Sequence, residues 1–199
     1  MQRPLSCVVS ISGIRGIIGE TLSPAEVMGL AAAFARAIAS GTGTVIVGRD
    51  SRPTGELLAQ AVAAGLRGAG CTVIDIGVVP TPTVPIMVKE LGAAGGIQIS
   101  ASHNPVQWNA LKFFSAAGRN VDQSQLDQVL EVYQIGPKNL WQTWSHCGAW
   151  HQADHAIEVH LRRVLAAVDV ELVRKRRFTV VIDSVNGAGS RIAPELLAR

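Results

Sequence analysis

Short β-branched apolar runs alternate along this chain with longer stretches whose apolar positions recur at helical spacing. CVVSIS (7–12) reads as a strand, the glycine-rich GIRGIIGE after it as a turn, and SPAEVMGLAAAFARAIAS as a helix. Ser23, Pro24 and Glu26 mark the start of that helix. They supply a serine cap, a proline suited to a first turn, and the glutamate that completes a Ser-x-x-Glu capping box. TVIVG (44–48) and CTVIDIG (71–77) predict two more strands, with the helical ELLAQAVAAGLRGAG and its glycine stop between them. TPTVPIMVKELGA then predicts a helix, GGIQIS a fourth strand, NALKFF a short strand, and DQSQLDQVLEVYQ a more polar helix.

Strand, helix, strand at this spacing implies βαβ units. The expected fold is a three-layer α/β/α domain with a mostly parallel mixed sheet, followed by the start of a second similar domain. Ligands of such sheets sit beyond the carboxyl ends of the strands. That puts the loops Gly13–Gly19, Gly48–Gly55, Gly77–Thr83 and Ser100–Asn109 on one shared rim. The alternation breaks at IGPKNLWQTWSHCGAWHQAD (135–154), which reads as a domain connection. HAIEVHLRRVLAAVDVELVRKRR predicts one long helix, and FTVVIDSVNGAGSRIAPELLAR a new strand, glycine loop and helix. The expected organisation is a first domain over 1–135, a connection over 136–154, and the incomplete start of a second domain over 155–199.

Composition narrows the class. A hydrophobic share of 48% against 17% charged residues fits a globular core, and a net charge of +3 does not by itself imply nucleic acid. The densest basic cluster, Arg174 to Arg177, closes a helical pattern, where cations complement the helix C-terminus. Cys7, Cys71 and Cys147 form no disulfide framework, and Cys7 and Cys71 read as small buried hydrophobes. No run reaches the roughly 18 apolar residues of a membrane span. The expectation is a soluble cytoplasmic protein with neither nucleic acid nor membrane as partner.

The chemistry concentrates in GGIQISASHNPVQWNALKFF (95–114). Ser102 lacks the Gly-x-Ser-x-Gly elbow of a serine hydrolase, and adjacent side chains usually diverge, so a Ser102–His103 nucleophile–base pair is not expected. Two readings stay open for the loop: helix capping by its serine or by Asn104 ahead of Pro105, and a serine that carries a phosphoryl group. Alternation puts Lys112 on the face of Ala110 and Phe114. From there it can turn back toward the serine loop to neutralise phosphate or shuttle a proton. Arg15, between glycines in SGIRG, is either a surface charge or a phosphate ligand. Arg49 and Asp50 suggest an ion pair that braces the rim. His146, Cys147, His151, Asp154 and His155 lack matched metal-site spacing and read as solvated connection.

ISASHNP followed by NALKFF, with SGIRGIIGE, VGRDSRPTG and GVVPTPT upstream, strongly resembles the α-D-phosphohexomutases. That family includes phosphoglucomutase/phosphomannomutase and phosphoglucosamine mutase. The likeness runs the length of the chain, with VDVELVRKRRFTVVIDSVNGAGS as the opening of a second domain. It implies that Ser102 is a phosphoserine exchanging its phosphoryl group with a hexose phosphate through a sugar 1,6-bisphosphate. It also implies that the serine phosphate is a ligand of an essential Mg²⁺. His103 and Lys112 become acid–base and charge-stabilising groups, while Arg15, Asn104 and Lys112 become substrate contacts.

The chain departs from the family pattern in two respects. Ala110 follows Asn109 where the family usually has glycine, so the turn there is expected to differ slightly. The family's Asp-Gly-Asp-x-Asp-Arg metal loop, Gly-Glu-x-Ser-Gly sugar loop and C-terminal phosphate loop do not occur in these residues. The expected function is that of the N-terminal part of a phosphohexomutase acting on glucosamine, glucose or mannose phosphates. These 199 residues alone are expected not to isomerise sugar phosphates. The alternative is a non-catalytic module that keeps the fold.

Overall fold

The computed structural model describes residues 6–136 and 140–199. Seven strands form one mixed sheet in the order β1-β2-β6-β5-β3-β4-β7. They are β1 (Val8–Ser10), β2 (Gly13–Ile17), β3 (Thr44–Arg49), β4 (Thr72–Val78), β5 (Gly95–Ile99), β6 (Trp108–Ser115) and β7 (Trp150–Gln152). The helices are α1 (Pro24–Ala37), α2 (Gly55–Gly68), α3 (Thr83–Glu90), α4 (Gln123–Ile135), α5 (Ala156–Leu165), α6 (Val170–Arg176) and α7 (Gly189–Ala198). The β5–β3–β4–β7 half is parallel, and the β1–β2–β6–β5 half antiparallel. Connection length explains the split. The short links between β1 and β2 and between β5 and β6 close antiparallel pairs, whereas parallel neighbours need a crossover helix.

Burial follows the two faces of the sheet. One core joins α1, α2 and α4 to the sheet through Leu30, Phe34, Leu58, Leu66, Val129, Ile97 and Phe113. Phe34 of α1 stacks on Phe113 of β6 with ring centroids 5.1 Å apart. The opposite core packs Val84, Met87 and Val88 of α3 and Ala156 and Val159 of α5 against Ile46 and Phe114. Two capping boxes set helix starts: Ser23 with Glu26 on α1, and Asp122 with Gln125 on α4. The three-layer α/β expectation therefore holds.

Four elements differ from the sequence reading. GIRGI, read as a turn, is strand β2, because it pairs with β6 along its length. Gly13 makes this possible. Its φ is 137°, and an added Cβ would lie 2.9 Å from the Leu111 carbonyl oxygen. Within the expected connection, residues 137–139 lie outside the described residues, but Trp150–Gln152 adds a parallel edge strand to β4. A period-2 run this short carries no sequence signal. The long helix predicted after it divides into α5 and α6, because the side chain of Asp169 accepts from the Leu172 N–H and starts a new helix. FTVVID forms no strand. Phe178 is 68% exposed and Val181 92%, and no described strand edge pairs with this segment. A strand exists only through ladder partners.

Candidate active site

The serine loop leaves β5 and returns as β6. Its first turn is closed by the Asn104 N–H donating to the Ala101 carbonyl at 3.1 Å, and no helix starts in it. The capping readings of Ser102 and Asn104 are thereby overturned, since there is no helix end to cap. Ser102 is exposed with φ 56°, in the left-handed region that few non-glycine residues occupy. Its N–H donates to Ser100 Oγ at 3.1 Å. The turn also brings neighbouring side chains together: Ser102 Oγ lies 3.4 Å from His103 Nδ1. Divergence of adjacent side chains, expected from ordinary backbone, does not hold in this left-handed turn.

Lys112 and Arg15 converge on the same place from β6 and β2. Arg15 pairs with Ala110 across the β2–β6 ladder, and Lys112 pairs with Gln98 across β5–β6. Together with Ser12, Ser100, Ala101, Ser102, His103 and Ala110 they line a cavity of about 200 Å³. Arg15 is steadied by donating to Ser12 Oγ at 2.7 Å and Ser10 Oγ at 3.3 Å. Burial pushes the Lys112 ammonium below its ordinary pKa, the neighbouring Arg15 charge pushes the same way, and Asp50 partly opposes both. Two cations facing one serine hydroxyl in a small cavity make an arrangement that an anion would relieve.

Asn104 lines a larger neighbouring cavity of about 790 Å³, between the serine loop, the loop after β3, the loop after β4, and Ser184–Ala188. Three of the four loops expected on one rim thus meet there. Gln98 lies fully buried beneath it. Its amide nitrogen donates to the Val79 carbonyl, and its Oε1 has no partner among the described residues. Asn109, where the turn was expected to differ, sits in regular strand, with its side chain donating to Thr54 Oγ1 at 3.0 Å.

The expected Arg49–Asp50 ion pair is made by Arg52 instead. Arg52 Nε lies 3.2 Å from Asp50 Oδ2. The turn that decides this is local: Asp50 Oδ1 accepts from the Arg52 N–H two residues on, which brings the Arg52 side chain over the carboxylate. Arg52 also donates to four carbonyls of the serine loop, contacts across fifty or more residues that no local pattern reveals.

No group of three or more His, Cys, Asp or Glu among the described residues is placed to hold a metal ion. Beside Ser102 the ionisable side chains are a histidine and two cations. This donor set does not fit a Mg²⁺ cage. Cys71 is buried, which pushes its thiol up to about 11, while Cys7 is half-buried and Cys147 exposed.

The structure is thus an α/β/α domain with an exposed strand-end serine set between an arginine and a lysine. The family model for phosphoglucomutase/phosphomannomutase, alpha/beta/alpha domain I, matches residues 8–138. The chain is 37% identical over 186 residues to a phosphoglucosamine mutase of Rhodococcus opacus, covering 92% of this chain and 41% of that protein. It is 34% identical over 188 residues to a phosphoglucomutase/phosphomannomutase of Thermococcus kodakarensis, covering 93% and 41%. The crystal structure of a phosphoglucomutase/phosphomannomutase family protein from Burkholderia thailandensis superposes with a TM-score of 0.66 at 28% identity, covering 81% of this chain and 37% of that one. This chain belongs to the phosphoglucomutase/phosphomannomutase (phosphohexomutase) family, and it spans about two-fifths of the length of the curated relatives it matches.

Proposed function

We propose that the chain is the serine-bearing part of a phosphohexomutase that interconverts hexose 6- and 1-phosphates, with Ser102 as the phosphoryl carrier. The observation that supports this best is the small cavity in which Arg15 and Lys112 face Ser102 and His103. Phosphoryl transfer draws most of its acceleration from positioning and charge neutralisation, and this cavity offers both.

In the proposed step, Ser102 Oγ bonds to phosphorus of a sugar 1,6-bisphosphate as the sugar O–P bond breaks. The hydroxyl proton passes to His103, whose Nδ1 lies 3.4 Å away, and the leaving sugar oxygen takes one proton from solvent, which His103 replaces when it gives up its own. The products are phosphoserine and a hexose monophosphate. The reverse step regenerates the bisphosphate after the sugar turns over. Lys112 and Arg15 balance the phosphoryl charge, and Asn104 contacts substrate from the larger cavity. A Mg²⁺ used by the whole enzyme would take one ligand from the Ser102 phosphate. The one carboxylate lining the adjoining cavity, Asp50, is already paired with Arg52, so the loop offers no carboxylate cage.

The reading is tested by intact-mass measurement of the chain after incubation with glucose 1,6-bisphosphate. One added phosphoryl group mapped to Ser102, and none in Ser102→Ala, is the expected result. Isomerisation of glucose 1-phosphate by these residues alone is not expected. A chain that stays unphosphorylated before and after incubation would instead identify a non-catalytic module that keeps the fold.

A further inference from the structure

Arg52 reaches from the loop after β3 to the serine loop, and every N–H of its guanidinium is engaged. Nε donates to Asp50 Oδ2 at 3.2 Å. Nη1 donates to the carbonyls of Pro105 at 2.7 Å and Trp108 at 2.9 Å. Nη2 donates to the carbonyls of Ser102 at 3.0 Å and Asn104 at 2.7 Å. These account for all five donors of an arginine side chain. The pair is largely enclosed, with side-chain exposures of 11% for Arg52 and 17% for Asp50. Asp50 is itself fixed, because its Oδ1 accepts from the Arg52 N–H at 3.1 Å.

This pattern differs from that of a ligand-binding arginine. A guanidinium with no spare donor has nothing to offer a phosphate, and its charge is already met by Asp50. What it does instead is gather four carbonyl oxygens of one loop around a single rigid, planar fork. No lysine can reproduce that geometry. The carbonyls belong to Ser102 and to the residues that carry the chain from it to β6, so the fork fixes the backbone at the left-handed turn. Ser102 is strained at φ 56°, and a conformation of that kind persists only where its surroundings over-determine it.

We propose that Arg52 is the positioning residue of the serine loop, holding the Ser102 backbone so that its hydroxyl is presented to the cavity of Arg15 and Lys112. The proposal rests on the reading of Ser102 as phosphoryl carrier, and its test separates the two.

Arg52→Lys and Arg52→Gln chains are incubated with a concentration series of glucose 1,6-bisphosphate, and phosphorylation of Ser102 is followed by mass. Amide hydrogen exchange is followed over residues 101–108. The expected result is a maximal phosphorylation rate lower by on the order of 10²-fold, since a misplacement of about 1 Å costs that much. The half-saturating concentration stays unchanged, and exchange accelerates in the loop but not in β3 or β5. Lysine does not rescue. A raised half-saturating concentration at unchanged maximal rate would overturn the proposal and make Arg52 a phosphate ligand. Unchanged kinetics and exchange would also overturn it.

If the unaltered chain accepts no phosphoryl group, the carrier reading fails on its own. Loop exchange then decides: faster exchange in Arg52→Lys upholds positioning, and unchanged exchange ends it. Should both Arg52 variants fail to fold, Asp50→Asn weakens the two contacts of Asp50 to Arg52 and leaves the four carbonyl bonds. A smaller rate loss with partial loop exchange supports the proposal, and no change in either rejects it.

Discussion

Lys112 sits where its own charge is least welcome. Burial and the nearby Arg15 charge both lower its pKa from the ordinary 10.5, so the fold favours the neutral amine. The contribution is fully present above the ordinary pKa and is lost as pH falls through the lowered one, so at neutral pH, well below the ordinary value, Lys112 weakens the fold. Lys112→Met should therefore keep or raise the melting temperature at neutral pH. The same substitution should slow phosphoryl acceptance at Ser102 by on the order of 10²-fold, the usual effect of deleting one preorganised charge-stabilising group. A scan of thermal unfolding beside the phosphorylation assay checks both. A variant that melts lower and still labels normally would make Lys112 a structural residue.

At the scale of elements, α5 is held to α3 by a polar contact as well as by Val159 and Ala156. His160 Nδ1 lies 2.8 Å from Thr83 Oγ1 at the start of α3, and burial lowers the histidine pKa from 6.5. A folded-state pKa below the unfolded one means that unfolding takes up a proton as the solution is acidified. This contribution is complete above 6.5 and disappears as pH falls through the lowered value. The chain should therefore lose stability as the solution is acidified below 6.5. His160→Gln keeps a hydrogen-bonding group without the titration, and should flatten that part of the profile. Denaturant unfolding at several pH values reads the difference. An identical slope in both proteins would show that the loss arises elsewhere.

Across the whole molecule, buried apolar residues end at Leu161, and α6, the segment 178–183 and α7 contribute no buried side chain. α7 lies against α5, where Leu196 and Leu197 share a cavity with Val164 and Leu165, and Arg199, just beyond it, pairs with Glu158, both partners solvent-exposed. Removing residues 178–199 should shift the melting temperature by less than about 4 °C, the equivalent of about 1 kcal/mol in a chain this size. Exposed apolar area at Phe178, Val181 and Val185 should disappear with it, lowering binding of a hydrophobic dye. A large drop in melting temperature would show that the C-terminal residues stabilise the sheet after all. Among the described residues no helix is long and apolar enough to cross a membrane.

Local chemistry made much of this legible in the sequence. The capping box of α1, the strands β3, β4 and β5 and the chemically loaded loop after β5 all follow from periodicity, cap residues and composition over a few positions. Those signals are carried by neighbours in the chain. The tertiary structure alone decided what depends on distant partners. GIRGI is a strand because β6 lies beside it, and FTVVID is none because no edge does. Trp150–Gln152 joins the sheet because β4 leaves an edge open. Ser102 and His103 approach because the turn is left-handed, and Arg52 donates to four carbonyls of the serine loop because that loop folds over it. Hydrogen bonds between segments fifty residues apart leave no trace in local sequence, since neither partner's residue type depends on knowing the other.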